Sequence, residues 1–312
     1  MELGRLGRTD LRVSIVGLGG NNFGWKADLA STRAIIDRAL ASGINFLDTA
    51  DSYGPSEDFV GEVLGRRRKD VVLATKFGSP MDGEGRKKGA SRAYIVTAVE
   101  SSLRRLRTDW IDLYQLHYPD PATPIEETLR ALEDLITQGK VRAIGCSNLS
   151  AAQLGDAQET AKRNGLTGFA STQNECSLLV RNVASELGPQ IAKYELALLP
   201  YFPLANGLLT GKYKPGQAAP AGSRLADAPP FFDSYRDAAQ WEMAAKLEAF
   251  AIARGHTLLE LAFSWLAAQP GVASVIAGAS GPEQIEQNAG AAGWILTSAE
   301  LAEVDRMTRL AQ

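Results

Sequence analysis

The sequence is poor in the residues that build most metal and redox centres. It contains two cysteines, Cys146 and Cys176, and two histidines, His117 and His256. The cysteines lie far apart inside apolar runs, which argues for buried thiols in a reducing, cytoplasmic compartment and against a disulfide framework. Two dispersed histidines give no metal-ligand spacing, so no metal site is expected. Positive charge is not in excess either. The 33 Lys+Arg against 36 Asp+Glu leave a net charge of −3, with no global basic field to attract nucleic acid. The single basic run, Arg66-Arg67-Arg68-Lys69, is expected to be the solvated C-terminal end of a helix, where cations complement the dipole. No apolar run reaches the ~20 residues that span a bilayer. Met1-Glu2-Leu3-Gly4 lacks the basic start and apolar stretch of a signal peptide. The expectation is a soluble protein with neither nucleic acid nor membrane as partner. Whether it is a monomer or a homo-oligomer is not legible.

What is present is a large apolar inventory, 45% of 312 residues, enough for a substantial core. That length accommodates two average domains or one α/β barrel. Residues 2–7 and 11–14 alternate around Arg8-Thr9-Asp10 and read as a short hairpin, suited to plugging a barrel bottom. Eight strand-like runs follow, at 15–19, 44–47, 71–76, 110–116, 141–146, 168–172, 196–201 and 272–277. Helical patterns separate them at 31–42, 56–66, 91–107, 184–193, 236–254 and 257–268, with shorter ones at 282–289 and 298–309. Thr123-Pro124-Ile125-Glu126 and Ser150-x-x-Gln153 read as capping boxes that open two further helices. Regular alternation predicts a parallel sheet under helical cover, and eight units predict closure into a single (β/α)8 barrel spanning 1–312. The long irregular stretch 205–234, after the seventh strand, is of a length more often functional than accidental.

The ends of three successive runs carry ionisable groups. Asn45-Phe46-Leu47 ends in Asp48, Val71-Val72-Leu73-Ala74-Thr75 in Lys76, and Ile111–Leu116 in His117, with Tyr53 just past the first. A buried carboxylate needs a cation, and strand ends are where α/β barrels keep their chemistry. The tyrosine poses the chemical problem, since its reference pKa near ~10 makes it a reluctant acid at neutral pH. A nearby ammonium lowers that pKa. Lys76 can supply it, Asp48 can hold Lys76, and His117 can donate to a carbonyl oxygen.

Asp48-Thr49-Ala50-x-x-Tyr53, Lys76 at a strand end and His117 before Tyr118-Pro119 resemble the catalytic tetrad of the aldo-keto reductases. The pattern is closest to bacterial members and to the potassium-channel β subunits built on the same fold, and it covers nearly the whole chain. The resemblance implies an NAD(P)H-dependent oxidoreductase in which Tyr53 gives a proton while hydride arrives from the nicotinamide. Asp48, Ser147, Asn148 and Gln173 would hold the nicotinamide end, with Tyr201 stacked on its face. On their own, Ser147-Asn148 also suit a turn or helix cap, and Gln173 a buried amide bonded to backbone. Phe202, Pro203, Leu204, Gly207 and Lys212 resemble the loop that covers the pyrophosphate. Arg224 in Gly222-Ser223-Arg224 resembles the arginine that approaches the adenosine phosphate, and reads equally as an exposed loop residue. Gly278, Ser280, Gln284, Gln287 and Asn288 resemble the adenosine site, at a helix N-terminus.

Two departures bear on the cofactor. Gly281 and Gln284 stand where many members carry a cation for the 2′-phosphate, and Gln287 replaces a usual glutamate. Lys212 and Arg224 can supply the missing charge, so NADP(H) is favoured and NAD(H) remains possible. The early Gly17-x-Gly19 is not a dinucleotide fingerprint, because Asn22 takes the place of the third glycine. Gly20-Asn21 instead leaves backbone open to a ligand. Phe23, Trp25 and Tyr118 are expected to wall a pocket for a neutral carbonyl or alcohol, with Tyr53 and His117 at its floor and Phe231-Phe232 as a lid. Two other functions fit fewer residues. One is a nicotinamide-binding regulatory subunit with little turnover. The other is a lyase or isomerase using Lys76 as a Schiff base, which leaves the cofactor segments unexplained.

Overall fold

The computed structural model describes all residues except 81–87, 215, 222, 228–236 and 310–312. Strands β1 (Leu3–Arg5) and β2 (Arg12–Ser14) form the N-terminal antiparallel hairpin. Eight parallel strands follow: β3 (Val16–Gly19), β4 (Phe46–Asp48), β5 (Val72–Phe77), β6 (Ile111–Leu116), β7 (Val141–Ser147), β8 (Ser171–Glu175), β9 (Ala197–Tyr201) and β10 (Val275–Gly278). Their spatial order is β10-β3-β4-β5-β6-β7-β8-β9. The ring is completed where Leu198 bridges Val272, with Leu198 N donating to the Gly271 carbonyl at 2.8 Å. Helices alternate with the strands, so the architecture is the expected (β/α)8 barrel.

Two apolar layers explain its stability. The larger core lies between strands and helices, with Ile35, Ile36, Ile95, Val99, Leu132, Phe263 and Trp265 essentially inaccessible. The smaller one fills the barrel interior at its lower end. There Leu6 and Val13 of the hairpin meet Phe46, Ala74, Leu113, Leu199 and Ile276 from the strands. The hairpin is therefore the barrel plug that its alternation suggested.

Four local expectations need correction. Thr123 does not cap a helix: helix Ile125–Thr137 starts from Pro124 with no side-chain cap. Asp120 captures the Thr123 hydroxyl at 2.7 Å, together with the Ala90 and Ala122 amides, and Glu126 pairs with Arg130 instead. The sixth barrel strand begins at Ser171 because Phe169 is tied back by two bonds to the Gln158 amide, so Gln173 lies within the strand and not beyond it. The 184–193 helix is two helices, Asn182–Glu186 and Gly188–Tyr194, since Pro189 is tolerated only in a first turn. Finally, the basic run is a 3-10 turn, Gly65–Asp70, in which Arg68 is buried. It pairs with Asp112 at 2.8 Å and stacks over Trp110, 4.6 Å from the ring centroid. The Ser150–Gln153 capping box forms as expected.

Candidate active site

Asp48 is the last residue of β4, and Lys76 lies one residue before the end of β5. Both are buried, at 4% and 1% exposure. Lys76 Nζ donates to Asp48 Oδ2 at 2.5 Å and to the Thr49 carbonyl at 2.9 Å. Burial works against the ammonium, but Asp48 and then Tyr53 outweigh it, and the Lys76 pKa is raised. Tyr53 follows in the turn after β4, its amide donating to the Ala50 carbonyl at 3.2 Å, and Lys76 Nζ lies 5.1 Å from the centre of its ring. Burial raises the phenol pKa and Lys76 lowers it; burial wins, so the net direction is upward. The acidifying ammonium expected from the sequence is in place, but it only offsets a larger desolvation effect.

His117 follows β6, its amide bonded to the Phe77 carbonyl at 2.9 Å. Its ring meets Tyr53 edge-on at 5.7 Å and stacks on Tyr118 at 4.9 Å. Burial, and then the charge of Lys76, push its pKa down to about 3. The ring is therefore neutral through the physiological range, with one N–H to give. Its Nδ1 is buried without a hydrogen-bond partner among the described residues.

A cavity of about 750 Å³ opens above this group. Its wall brings together Asp48, Tyr53, His117 and Tyr118 with Gly20, Asn21, Ser147, Asn148, Gln173, Tyr201, Phe202, Pro203, Leu204, Gly207 and Lys212. Gly278, Ser280, Gln284, Gln287 and Asn288 line its other end. Lys76 lies beneath the wall and not on it. Phe23 and Trp25 are not brought to the cavity. The turn from Gly20 to Phe23 tucks the Phe23 ring into the core at 2% exposure, while Trp25 is 56% exposed beneath the Lys26 ammonium. Arg224 begins the short helix Arg224–Asp227. Its side chain, like Gly222, Phe231 and Phe232, lies outside the described residues.

The polar groups beside the tetrad are mutually fixed. Asn148 adopts a positive φ of 62°, a costly backbone state for a residue with a Cβ. Its side chain offsets the strain: Nδ2 donates to the His117 carbonyl and Ser147 Oγ, each at 3.0 Å, and Oδ1 accepts from the Tyr201 hydroxyl at 2.8 Å. Ser147 Oγ donates to the Gln173 carbonyl. Gln173 Nε2 donates to Asp48 Oδ1 at 3.0 Å, a side-chain carboxylate partner that neither the nicotinamide reading nor the backbone alternative named. At the far end, Ser280 N and Oγ both donate to Gln284 Oε1, just ahead of helix Pro282–Gly290.

Sequence reasoning missed several wall residues, among them Lys26, Ser52, Glu175, Asn206 and Thr210. Glu175 was within reach, since a two-residue spacing from Gln173 puts it on the same face of β8. Gln115 was also missed. It lies behind the wall and donates to Asp48 Oδ1 at 3.0 Å.

A family model for the aldo/keto reductases matches residues 15–309. The chain belongs to this family. A rice (Oryza sativa subsp. japonica) protein named as a probable voltage-gated potassium channel subunit beta is 37% identical over 303 residues, covering 92% of this chain and 90% of that protein. The aldo-keto reductase YhdN of Bacillus subtilis is 33% identical, covering 98% and 93%. The protein tas of Escherichia coli is 32% identical, covering 98% and 97%. Family membership and relatives named as oxidoreductases support oxidoreductase activity for this aldo/keto reductase, and the family generally uses nicotinamide cofactors. Among the described residues, no helix is long and apolar enough to cross a membrane.

Proposed function

We propose that this protein transfers hydride between NADP(H) and a carbonyl or alcohol substrate, an aldehyde, ketone or sugar, with Tyr53 as the proton donor in reduction. One observation carries the reading. A buried lysine–carboxylate pair lies against Tyr53, and Tyr53 and a neutral histidine face one cavity beside the fixed Ser147–Asn148–Gln173–Tyr201 group. The cavity volume falls in the range of small-molecule and cofactor pockets. The group suits a nicotinamide: the Tyr201 ring for its face, and the second Gln173 N–H with the remaining lone pairs of Ser147 Oγ and Asn148 Oδ1 for its amide. When bound, the reduced nicotinamide supplies the hydride.

The chain's own residues manage the charge on the substrate oxygen. As that oxygen becomes negative, the Tyr53 O–H and the neutral His117 N–H donate to it. A developing alkoxide is a far stronger base than a phenolate, so the Tyr53 proton passes to it despite the raised pKa. Lys76, held charged by Asp48, then stabilises the tyrosinate left behind. In oxidation the same tyrosinate takes the alcohol proton.

NADP(H) is favoured over NAD(H) through Lys212, an exposed residue on the cavity wall. Gly281 and Gln284 bring no charge of their own. Fluorescence titration checks this: Lys212→Ala is expected to weaken NADPH binding on the order of tenfold while leaving NADH nearly unchanged. Equal loss for both cofactors would place Lys212 on the pyrophosphate. We read the protein as acting in the cytoplasm, supported by two buried free thiols.

The activity test is oxidation of NADPH in the presence of 4-nitrobenzaldehyde and a broad carbonyl panel. Wild-type protein turns over, and Tyr53→Phe binds cofactor but does not. A cofactor-binding protein inert toward the whole panel favours a second reading, a nicotinamide-binding regulatory subunit. The similarity to the rice protein named as a channel β subunit motivates that alternative. The complete tetrad, with His117 on the cavity wall, weighs against it.

A further inference from the structure

Asp48 is held by more than its lysine. Lys76 takes Oδ2, and Oδ1 accepts two amides, Gln173 from β8 and Gln115 from β6, each at 3.0 Å. Gln115 is fully buried, and its own Oε1 has no hydrogen-bond partner among the described residues. A leucine or methionine there would pack without that penalty. The amide is spent on the carboxylate.

The ladder prepares the contact. Lys76 and Gln115 are register partners on β5 and β6, so both side chains project to the same side of the sheet. Gly145 is the next partner across, on β7, and it clears the path. A Cβ at that position would lie 3.2 Å from Gln115 Cγ and 2.5 Å from Ser171 Oγ.

We propose that Gln115 is a positioning residue of the tetrad. It fixes the plane of the Asp48 carboxylate so that Oδ2 faces Lys76. The ammonium then spends one proton on Asp48 and one on the Thr49 carbonyl, leaving the third for Tyr53. Gln173 does not do this alone, because it lines the cavity and, on the reading above, its amide also serves the nicotinamide. Gln115 does not line the cavity, so its amide stays out of direct reach of a ligand there and is left to Asp48. This inference rests on the oxidoreductase reading above.

The test uses the full chain with Gln115→Met and Gln115→Glu. Gln115→Met removes the donor at similar volume. It is expected to lower kcat about tenfold or more at every pH, with NADPH affinity unchanged. Gln115→Glu puts a second carboxyl beside Asp48, and such a pair shares one proton. Below the apparent pKa of the pair the protonated glutamate can still donate, so kcat approaches wild type; above it, kcat falls. That pH-dependent rescue is a readout that packing alone would not give. Wild-type kcat in Gln115→Met, or equal losses in both variants at every pH, overturns the proposal. If wild-type protein has no turnover, the functional reading fails separately. The positioning contact is then judged by 13C-glutamate NMR of Gln115→Glu. Its extra carboxyl titrates well above the ordinary glutamate range, and adding Asp48→Asn brings it down. An extra carboxyl indifferent to Asp48→Asn overturns the contact.

Discussion

Two buried acidic groups lie three residues apart in the chain and are treated in opposite ways. Asp48 is saturated: an ion pair with Lys76 on one oxygen and two amide donors on the other. Asp51, at 2% exposure, has one oxygen with no hydrogen-bond partner among the described residues, and a long 3.4 Å bond from Tyr94 to the other. Its cluster contains Glu57, which takes the nearby cation. Arg105 pairs with Glu57 at 2.6 Å, and Thr75 donates to Glu57 as well. Burial, with Glu57 adding to it, pushes the Asp51 pKa from 3.8 up to about 7. The lesson is that burial alone does not make a carboxylate a working part. Asp48 keeps a lysine charged under a tyrosine because every lone pair that matters is occupied. Asp51 is a neighbour carrying a desolvation cost.

The largest expected effect separates the two clusters by function. In the proposed mechanism Lys76→Met removes the cation that stabilises the tyrosinate, so kcat should fall on the order of a thousandfold. It also leaves Asp48 buried without its ion partner, at about 3–5 kcal/mol of stability in urea unfolding. Arg105→Met should cost a smaller part of that stability, since Arg105 is partly exposed and Glu57 keeps the Thr75 bond. Its kcat should remain close to wild type. A thousandfold loss in Arg105→Met would erase the distinction.

A smaller effect sharpens the comparison through pH. Asp51 holds its proton more tightly folded than unfolded. Between its unfolded value of 3.8 and about 7, the folded state therefore binds more protons, and stability falls as pH rises. The span sets an upper bound of roughly 4 kcal/mol at ~1.4 kcal/mol per pH unit. Asp51→Asn should flatten this part of the stability profile and raise stability at pH 8, measured by urea unfolding from pH 4 to 8. An unchanged slope would mean that Asp51 has a partner when folded in solution.

Much of this was legible because it depends on chain periodicity. The strand ends at Asp48, Lys76 and His117, the hairpin plug and the Ser150–Gln153 cap all follow from local pattern. Most of the misses depend on how distant segments or loops come together. Arg68 read as a solvated helix end because Asp112, its counter-ion, lies more than forty residues on, in β6. Thr123 read as a cap because its local pattern does not show that Asp120, in a loop that also gathers Ala90, takes its hydroxyl. Phe23 and Trp25 read as pocket walls because nothing local says which way a turn after β3 will throw its side chains. Gln115 read as nothing at all, since its role exists only where β4, β6 and β8 converge on one carboxylate. The sign of the Tyr53 shift was out of reach for the same reason: burial is a property of the whole barrel.

The central claim is that Tyr53, backed by Lys76, delivers a proton to a carbonyl oxygen while the nicotinamide delivers hydride to its carbon. Incubating the protein with NADPH deuterated at both C4 positions and 4-nitrobenzaldehyde, and reading the alcohol by mass spectrometry, tests it directly. Wild type should place one deuterium on the alcohol carbon, and Tyr53→Phe, still binding NADPH, should yield almost no alcohol. Alcohol formed without deuterium, or formed as fast by Tyr53→Phe, would contradict the account.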